Sequence, residues 1–152
     1  MATEKIQQIG ALLREVSTQA IKRSNLVSAI LGINSTDLEA LEVLMRLGKA
    51  TAGVLAAETG ITGGAVTKMV DRLEKAGFIL RETDPNDRRK VYITLHVNNL
   101  ESKVLPLYQS LVGAVNALLD EYSPQEQQLI ISFLSRSIQI NREDMEKLAA
   151  EH

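Results

Sequence analysis

Apolar residues recur every three or four positions along most of the chain, a spacing that predicts amphipathic helices. The first predicted helix runs from about residue 4 to residue 31, and Gly32 ends it. A second helix follows, because Thr36-Asp37-Leu38-Glu39 matches the capping-box pattern of a Thr with a Glu three residues later. Gly48 is expected to end this helix.

Two shorter helices are predicted next, joined by a turn that contains glycine. Thr51 is a candidate cap for a helix over Ala52–Thr59, and Gly60 follows it. Thr62 is the candidate cap of the next helix, which extends to Lys75 and has a glycine just past its end. Two short helices connected in this way are typical of a helix-turn-helix, whose second helix enters the major groove of DNA. A helical hairpin without a DNA-binding role fits the same pattern.

Alternation with a period of two then predicts a β-hairpin with strands at Phe78–Glu82 and Val91–Leu95. We expect Phe78 and Leu80 to share one face of the first strand and Arg81 to face the other way. The connecting loop starts with the turn-forming residues 84–86 and then becomes strongly basic. Together with the preceding helices, this hairpin would be the wing of a winged helix-turn-helix.

The C-terminal part of the chain is predicted to be helical throughout. One helix covers about residues 99–122, with a bend or a break at Pro106, because proline disrupts helix hydrogen bonding. Ser123-Pro124-Gln125-Glu126 is a strong helix start, and the last helix continues to Leu148. No strand, repeat or low-complexity segment is evident here.

The fold class that follows is mainly α with a small β-wing. Within the single chain of residues 1–152, a winged helix-turn-helix module is expected over about 34–97, with long helices at about 4–31 and 99–148. The apolar faces of those long helices exceed what the small module can cover. A second copy of the chain would cover them in a homodimer, although an intramolecular bundle is the alternative.

Composition narrows the class of protein. A chain of 152 residues with 45% apolar and 24% charged residues is long enough for one folded domain and is not typical of disorder. No apolar stretch approaches the ~20 residues of a membrane span, and the N-terminal residues predict no signal peptide. We therefore expect a cytoplasmic protein without membrane association. Cysteine is absent, which excludes thiol chemistry and disulfides.

The charge is unevenly distributed along the chain. The formal net charge is −2, yet residues 62–90 carry seven basic and five acidic side chains, whereas residues 91–152 carry four and eight. The local charge determines where a phosphate backbone docks. This composition permits binding of double-stranded DNA at residues 62–90, although ordinary surface scatter gives an excess of the same size.

Candidate DNA contacts lie on the fourth helix and in the basic loop. Two glycines in the first helical turn lower helix propensity, so they suggest close approach to a DNA backbone or base edge; a loose turn is the alternative. Adjacent arginines at an exposed hairpin tip suit the negative potential of the minor groove. The candidates are Thr62, Gly63, Gly64, Ala65, Thr67, Lys68 and Arg72 on the helix, and Arg88, Arg89 and Lys90 in the loop.

Other functional classes find less support. The two histidines, His96 and His152, lack the ligand spacing of a metal site, and no phosphate-binding or nucleophile motif is present, so neither an enzyme nor a cofactor is predicted. RNA is disfavoured by an aromatic content of 3%. A winged-helix protein-interaction adaptor without specific DNA binding remains the main alternative.

The order of elements and several motifs resemble the MarR family of winged-helix regulators. The similarity is sharpest from Gly60 to Phe78 and continues through Asp84-Pro85-Asn86-Asp87-Arg88-Arg89-Lys90 and Val91–Leu95. In architecture it covers essentially the whole chain. The sequence departs from the family after Leu95, where His96-Val97-Asn98-Asn99 replaces a Thr and a nearby Gly.

The resemblance implies a regulator, commonly a repressor, that acts as a homodimer on a pseudo-palindromic operator. The helix from Thr62 to Lys75 would enter the major groove, and Arg88 and Arg89 would place the wing at the minor groove. Asp87 is implied to hold one of these arginines by an ion pair. Many members release DNA when a small, often aromatic and anionic effector binds.

Overall fold

A computed structural model describes residues 2–151 of the chain, so Met1 and the histidine at position 152 lie outside the described residues. The described residues are mainly helical. The elements are α1 (Ala2–Leu31), α2 (Ser35–Leu47), β1 (Lys49–Ala50), α3 (Ala52–Thr59), α4 (Gly63–Lys75), β2 (Ile79–Thr83), β3 (Val91–Leu95), α5 (Val97–Asn99), a π-helical turn (Leu100–Val104), α6 (Leu105–Asp120) and α7 (Pro124–Glu151).

The predicted caps of the two short helices are confirmed. Thr51 Oγ1 accepts a hydrogen bond from the N–H of Val54, and Thr62 Oγ1 accepts one from the N–H of Ala65, both at 3.4 Å. These bonds satisfy N–H groups that have no partner within the first helical turn. Between the two helices, Gly60 adopts a left-handed conformation with φ of 69°, which turns the chain from α3 toward α4.

The cap predicted for α2 was wrong. Asn34, not Thr36, is the cap, and its Oδ1 accepts the N–H of Asp37 at 2.8 Å. Asparagine is at least as good an N-cap as threonine, so the helix starts earlier, at Ser35. This shift places Asp37 in the first turn of α2, where its side chain is buried.

The three strands form an antiparallel sheet in the order β1-β3-β2. The sequence pattern did not predict β1, because its two residues are too few to show alternation. Phe78 was predicted to start β2, but its N–H donates to the carbonyl of Leu73 at 2.9 Å and so completes the end of α4. The strand therefore starts at Ile79.

This one-residue shift changes the pattern of faces predicted for β2. Leu80, expected on the core side, is 44% exposed, whereas Ile79 is only 1% exposed. Arg81 pairs directly with the buried Ile93 of β3 and therefore shares the inner face with it. Leu80 and Arg81 do lie on opposite faces, but the prediction that Phe78 and Leu80 share a face was wrong, because Phe78 completes the end of α4 and the strand alternation begins only at Ile79.

The core lies in the unit of the fold that ends at Leu107. α2, α3, α4 and the sheet pack around it. Its largest fully buried side chains are Leu38, Leu41, Leu44, Leu55, Val66, Met69, Leu73, Ile79 and Val104. Because α4 contributes three of these residues, its orientation is fixed by the core and not by its exposed side.

A helical segment follows β3 almost immediately, although no glycine lies between them. His96 donates its backbone N–H to the carbonyl of Phe78 at 2.9 Å and precedes α5 directly. The π-helical turn interrupts the helix just ahead of Pro106, and the N–H of Leu105 donates to the carbonyl of Leu100. The chain thus stays helical through Pro106, with no break at the proline, and the irregularity there is a single wide turn just before α6.

The second unit begins at Tyr108 and contains most of α6 and all of α7. The capping box at its helix start is confirmed: Glu126 accepts the N–H of Ser123 at 2.8 Å and donates its own N–H to Ser123 Oγ at 3.4 Å. The side-chain hydrogen bond from Ser123 lowers the pKa of Glu126 from its ordinary value of 4.5. Among residues 2–151, no helix is long and apolar enough to cross a membrane.

Candidate nucleic-acid interface

The helix α4 separates a buried side from an exposed side. Val66, Met69, Val70 and Leu73 are at most 2% exposed, and their spacing of three or four residues places them on one face of the helix. Every candidate DNA contact on this helix lies on its exposed side: Thr62, Gly63, Gly64, Ala65, Thr67, Lys68 and Arg72. α4 therefore presents one polar surface to its surroundings while the core holds the other.

The first turn of α4 has almost no side-chain atoms because two of its residues are glycines. Gly63 and Gly64 are exposed, and neither has a positive φ. A Cβ atom built on either residue would meet nothing within 4 Å. Neither the backbone conformation nor the packing of this chain therefore requires glycine at these two positions.

The next turns carry a hydroxyl group and two cations. Thr67 donates its hydroxyl to the carbonyl of Gly63 at 3.1 Å, which orients its side chain along the helix. Lys68 and Lys75 are exposed. Within residues 2–151, the structure gives neither lysine an acidic partner, so both ammonium groups are available to an anionic ligand.

Arg72 is held differently from the two lysines. Its Nη2 donates to Asp37 Oδ1 at 2.6 Å and its Nε donates to Asp37 Oδ2 at 3.3 Å. The Asp37 side chain is only 4% exposed, whereas that of Arg72 is 51% exposed. The hydrogen bond to Asp37 raises the pKa of Arg72. This two-bonded pair joins α4 to the first turn of α2.

The wing loop is ordered by its own side chains. Asp84 Oδ1 accepts the N–H groups of Asn86 at 2.7 Å and Asp87 at 3.2 Å, as expected of an Asx turn. The N–H of Asp84 donates to the carbonyl of Lys90 at 2.9 Å and closes the loop. Within the loop, the N–H of Lys90 donates to the carbonyl of Asp87 at 2.9 Å. The loop therefore has a defined conformation before any ligand binds.

The basic side chains of the loop point outward. Arg88, Arg89 and Lys90 are exposed. Asp87 Oδ1 accepts the backbone N–H of Arg89 at 3.1 Å and lies 3.5 Å from its Nε. The arginine that Asp87 contacts is thus Arg89, whose side chain is 94% exposed.

Arg81 and Asp37 contribute to this surface in ways that the sequence did not predict. Arg81, on β2, donates to Asp71 at 2.5 Å and also forms an ion pair with Glu74, both on α4. The partners of Asp37 and Arg81 lie 35, 10 and 7 residues away along the chain. No local periodicity reveals such pairs; the acidic residues at i and i+3 on the exposed side of α4 were the available signal.

The pairing leaves a defined set of cations on the module. Arg72 and Arg81 are bound to carboxylates of the fold, and Arg89 contacts Asp87. In the part of the chain that the structure describes, Lys68, Lys75, Arg88 and Lys90 have no acidic partner. Two of these four lie on α4 and two lie in the wing loop.

Similarity to known proteins is consistent across sequence and structure. The sequence pattern of the MarR family matches residues 33–91. YcgE of Bacillus subtilis, an uncharacterized HTH-type transcriptional regulator, is 37% identical over 137 residues, which are 90% of this chain and 88% of YcgE.

Two solved structures share the fold. A variant of S. aureus MepR bound to an oligodeoxyribonucleotide has a TM-score of 0.58 at 20% identity, covering 86% of this chain and 96% of its own. Wild-type MarR of E. coli in its apo form has a TM-score of 0.58 at 22% identity, with coverages of 84% and 94%. The family pattern and the identity to YcgE establish the relationship, and the structures agree with it. The chain belongs to the MarR family of DNA-binding transcriptional regulators.

Proposed function

We propose that the protein is a sequence-specific repressor that binds double-stranded DNA as a homodimer on a pseudo-palindromic operator. The proposal rests on one observation. In a single unit, the small and cationic residues on one side of α4 and the cations of the wing loop are all exposed. A helix of this kind fits the major groove, and arginines fit the minor groove. The DNA-bound variant of S. aureus MepR, which has the same fold, supports this use of the module.

Exposed apolar side chains on the long helices support the homodimer. On α1, Ile6 is 70% exposed and Val16 is 66% exposed. On α7, Leu129 is 70% exposed and Ile140 is 64% exposed. Neither α6 nor α7 has a buried side chain. Large exposed apolar side chains on long helices are typical of an interface, and a second copy of the chain would supply identical faces in a two-fold arrangement that matches an inverted repeat.

Release of DNA by a small aromatic or anionic effector completes the proposed cycle. A cavity of about 370 Å³ in the first unit is lined by Ile30, Leu31, Ala76, Phe78 and Lys103. Lys103 Nζ lies 5.8 Å from the centroid of the Phe78 ring. Apolar side chains beside one cation are the chemistry that an aromatic anion requires. An effector shifts the protein off DNA only if it prefers the conformation that does not bind.

The proposal assigns no catalytic role to the protein and places its action in the cytoplasm, where an operator is accessible. Its direct test is binding to the DNA upstream of the protein's own gene at two salt concentrations with non-specific competitor. We expect tight, competitor-resistant binding to a short inverted repeat. Binding that competitor removes would contradict specificity at that site, and absence of binding at low salt would favour the adaptor function.

The Lys68→Ala substitution should distinguish a phosphate contact from base recognition. Because a phosphate contact is independent of sequence, we expect weaker binding to all sequences alike and a salt slope lower by about 1. Fluorescence titration at several salt concentrations measures both quantities. Lys147→Ala, which removes an exposed lysine near the end of α7, is the control for the general effect of losing one positive charge. A loss confined to one operator position would contradict the phosphate assignment.

Alanine at Gly63 or Gly64 should have opposite effects on stability and on DNA binding. Each substitution is expected to stabilise the fold by about 0.5–1 kcal/mol, because glycine lowers helix stability and the added methyl group meets nothing in the chain. If DNA approaches this turn closely, operator affinity should fall about tenfold. Thermal unfolding and operator titration measure the two effects.

Gly53→Ala, the same change in the first turn of α3, provides the matched control for these glycine variants, because the added methyl group would make only an ordinary contact with Thr51 Oγ1 at 3.9 Å. It should stabilise the fold without weakening operator binding. If both Gly63→Ala and Gly64→Ala retain operator affinity, DNA does not closely approach the first turn of α4.

A further inference from the structure

The wing follows α4 directly in the chain, so the angle between the two determines which surfaces the module can contact together. In the sheet order β1-β3-β2, β2 is an edge strand, hydrogen-bonded on one side to β3 only. Its chain connection to α4 is the short turn at Gly77, whose φ is 77°. Backbone pairing fixes β2 to β3 and β3 to β1, and side-chain contacts between β2 and α4 further define the angle between the hairpin and this helix.

Arg81 occupies the position from which such a contact is made. Its register partner is Ile93, which is 3% exposed, so both side chains lie on the inner face of the sheet, where an apolar residue would be expected. The guanidinium group of Arg81 reaches two carboxylates on the exposed side of α4, Asp71 at 2.5 Å and Glu74. The Arg81 side chain is 32% exposed.

The geometry of this contact is more restrictive than that of an ordinary surface ion pair. A guanidinium group is planar and donates in fixed directions, so two separate acceptors determine its position and orientation. Asp71 and Glu74 are three residues apart, on adjacent turns of one rigid helix. The hydrogen bond from Arg81 to Asp71, with the nearby charge of Glu74, raises the pKa of Arg81.

We propose that Arg81 is a positioning residue that fixes the angle between the wing and α4, so that one unit contacts the major and minor grooves at the same time. This inference rests on the proposed binding of α4 and the wing to an operator. Arg81 on the edge strand β2 binds the carboxylates of Asp71 and Glu74 and thereby connects this strand to α4. Specific affinity depends on both grooves being reached without distorting either the module or the DNA.

A purely electrostatic role for Arg81 makes a different prediction. Asp71 and Glu74 are exposed on the same helix side that faces the proposed phosphate backbone, with side chains 61% and 40% exposed. If Arg81 only neutralises these two charges, removing all three charged groups together should restore DNA binding. If Arg81 holds the wing, the triple substitution should remain weak.

The test compares Arg81→Ala, Arg81→Lys and the triple variant Arg81→Ala/Asp71→Asn/Glu74→Gln on an operator. We expect Arg81→Ala to lower specific affinity about tenfold or more, Arg81→Lys to recover part of it, and the triple variant to stay close to Arg81→Ala. Arg46→Ala breaks the exposed ion pair between Arg46 and Glu58 in the same unit and is the matched control. Full recovery in the triple variant, or unchanged affinity in Arg81→Ala, would overturn the positioning role.

A second readout does not require DNA binding. The chain has no cysteine, so Lys68→Cys and Asn86→Cys introduce one spin label on α4 and one in the wing loop. Labelled chains are diluted with unlabelled protein so that only distances within one chain are seen. Pulsed electron paramagnetic resonance then gives the distribution of distances between the two spin labels. We expect a narrow distribution that broadens or shifts with Arg81→Ala. An unchanged distribution would refute the inference whatever the outcome for operator binding, whereas failure of the parent protein to bind any operator would refute only the proposed function.

Discussion

The Arg88→Ala variant is expected to bind its operator about 10- to 100-fold more weakly than the parent protein, with an unchanged melting temperature. Arg88 is exposed at the tip of a wing loop whose conformation is fixed by Asp84 and Asp87. Within residues 2–151 it has no acidic partner, so its removal deletes no ion pair of the fold. The expected loss is therefore confined to the bound state.

The physical basis of this expectation is the field of the minor groove. A narrow minor groove concentrates negative potential, and the weakly hydrated guanidinium group enters it with little loss of hydration. Arg89 has a different role in the wing, because Asp87 contacts both its backbone N–H and its side chain. Arg89→Ala should thus weaken binding less than Arg88→Ala.

Two controls make the Arg88 measurement decisive. Arg46→Ala removes an exposed arginine from α2, outside α4 and the wing loop, and should leave operator affinity unchanged. Arg88→Lys retains the charge and should show an intermediate affinity if groove geometry matters. Equal affinities of the Arg88→Ala variant and the parent protein would remove the minor-groove role of this residue.

The Asp37→Ala variant should lose about 2 kcal/mol of unfolding free energy, or roughly 4–8 °C in melting temperature. Asp37 is 3% exposed and accepts two charge-assisted hydrogen bonds from Arg72, at 2.6 and 3.3 Å. An acidic side chain in the first turn of α2 also interacts favourably with the helix dipole. Alanine removes all of these contributions at a buried position.

A double-substitution cycle identifies the pair as the source of this loss. Arg72→Met should also destabilise the fold, because it leaves the buried carboxylate without its partner. The combined variant should be less destabilised than the sum of the two single variants. Additive losses measured by denaturant unfolding would show that Asp37 stabilises α2 independently of Arg72.

This cycle also bears on DNA binding. The exposed position of Arg72 on α4 predicts a DNA contact, whereas its two bonds to Asp37 favour an anchoring role between α4 and α2. If Arg72 anchors, Arg72→Met should lower stability before it lowers operator affinity measured well below the melting temperature. A loss of affinity at unchanged stability would support the contact.

The predictions that succeeded rest on local interactions. Thr51, Thr62 and Ser123 each cap a helix within three residues of their position, and capping is readable over such a short span. The buried positions of α4 follow from helical periodicity alone. These local features are sufficient to place the exposed side of α4 and hence the candidate DNA contacts on it.

The predictions that failed involve either two local structures that the same residues could form or contacts between residues far apart in the sequence. Asn34 and Thr36 are both good caps, so cap preference alone did not identify Asn34, whose side chain accepts the N–H of Asp37. The phase of β2 depends on whether Phe78 ends a helix or begins a strand, which the alternation of apolar residues does not decide. The pairs formed by Asp37 and Arg81 join separate elements, so only the assembled fold brings their atoms together.

The position of β2 at the edge of the sheet has a further consequence for self-association. An edge strand exposes unpaired N–H and carbonyl groups, which are a template for strand addition and aggregation. Charged side chains at inward-pointing positions oppose such growth, and Arg81 is one on the inner face of β2, with Glu82 beside it on the outer face. The wing can therefore project into solvent without recruiting the strands of neighbouring molecules.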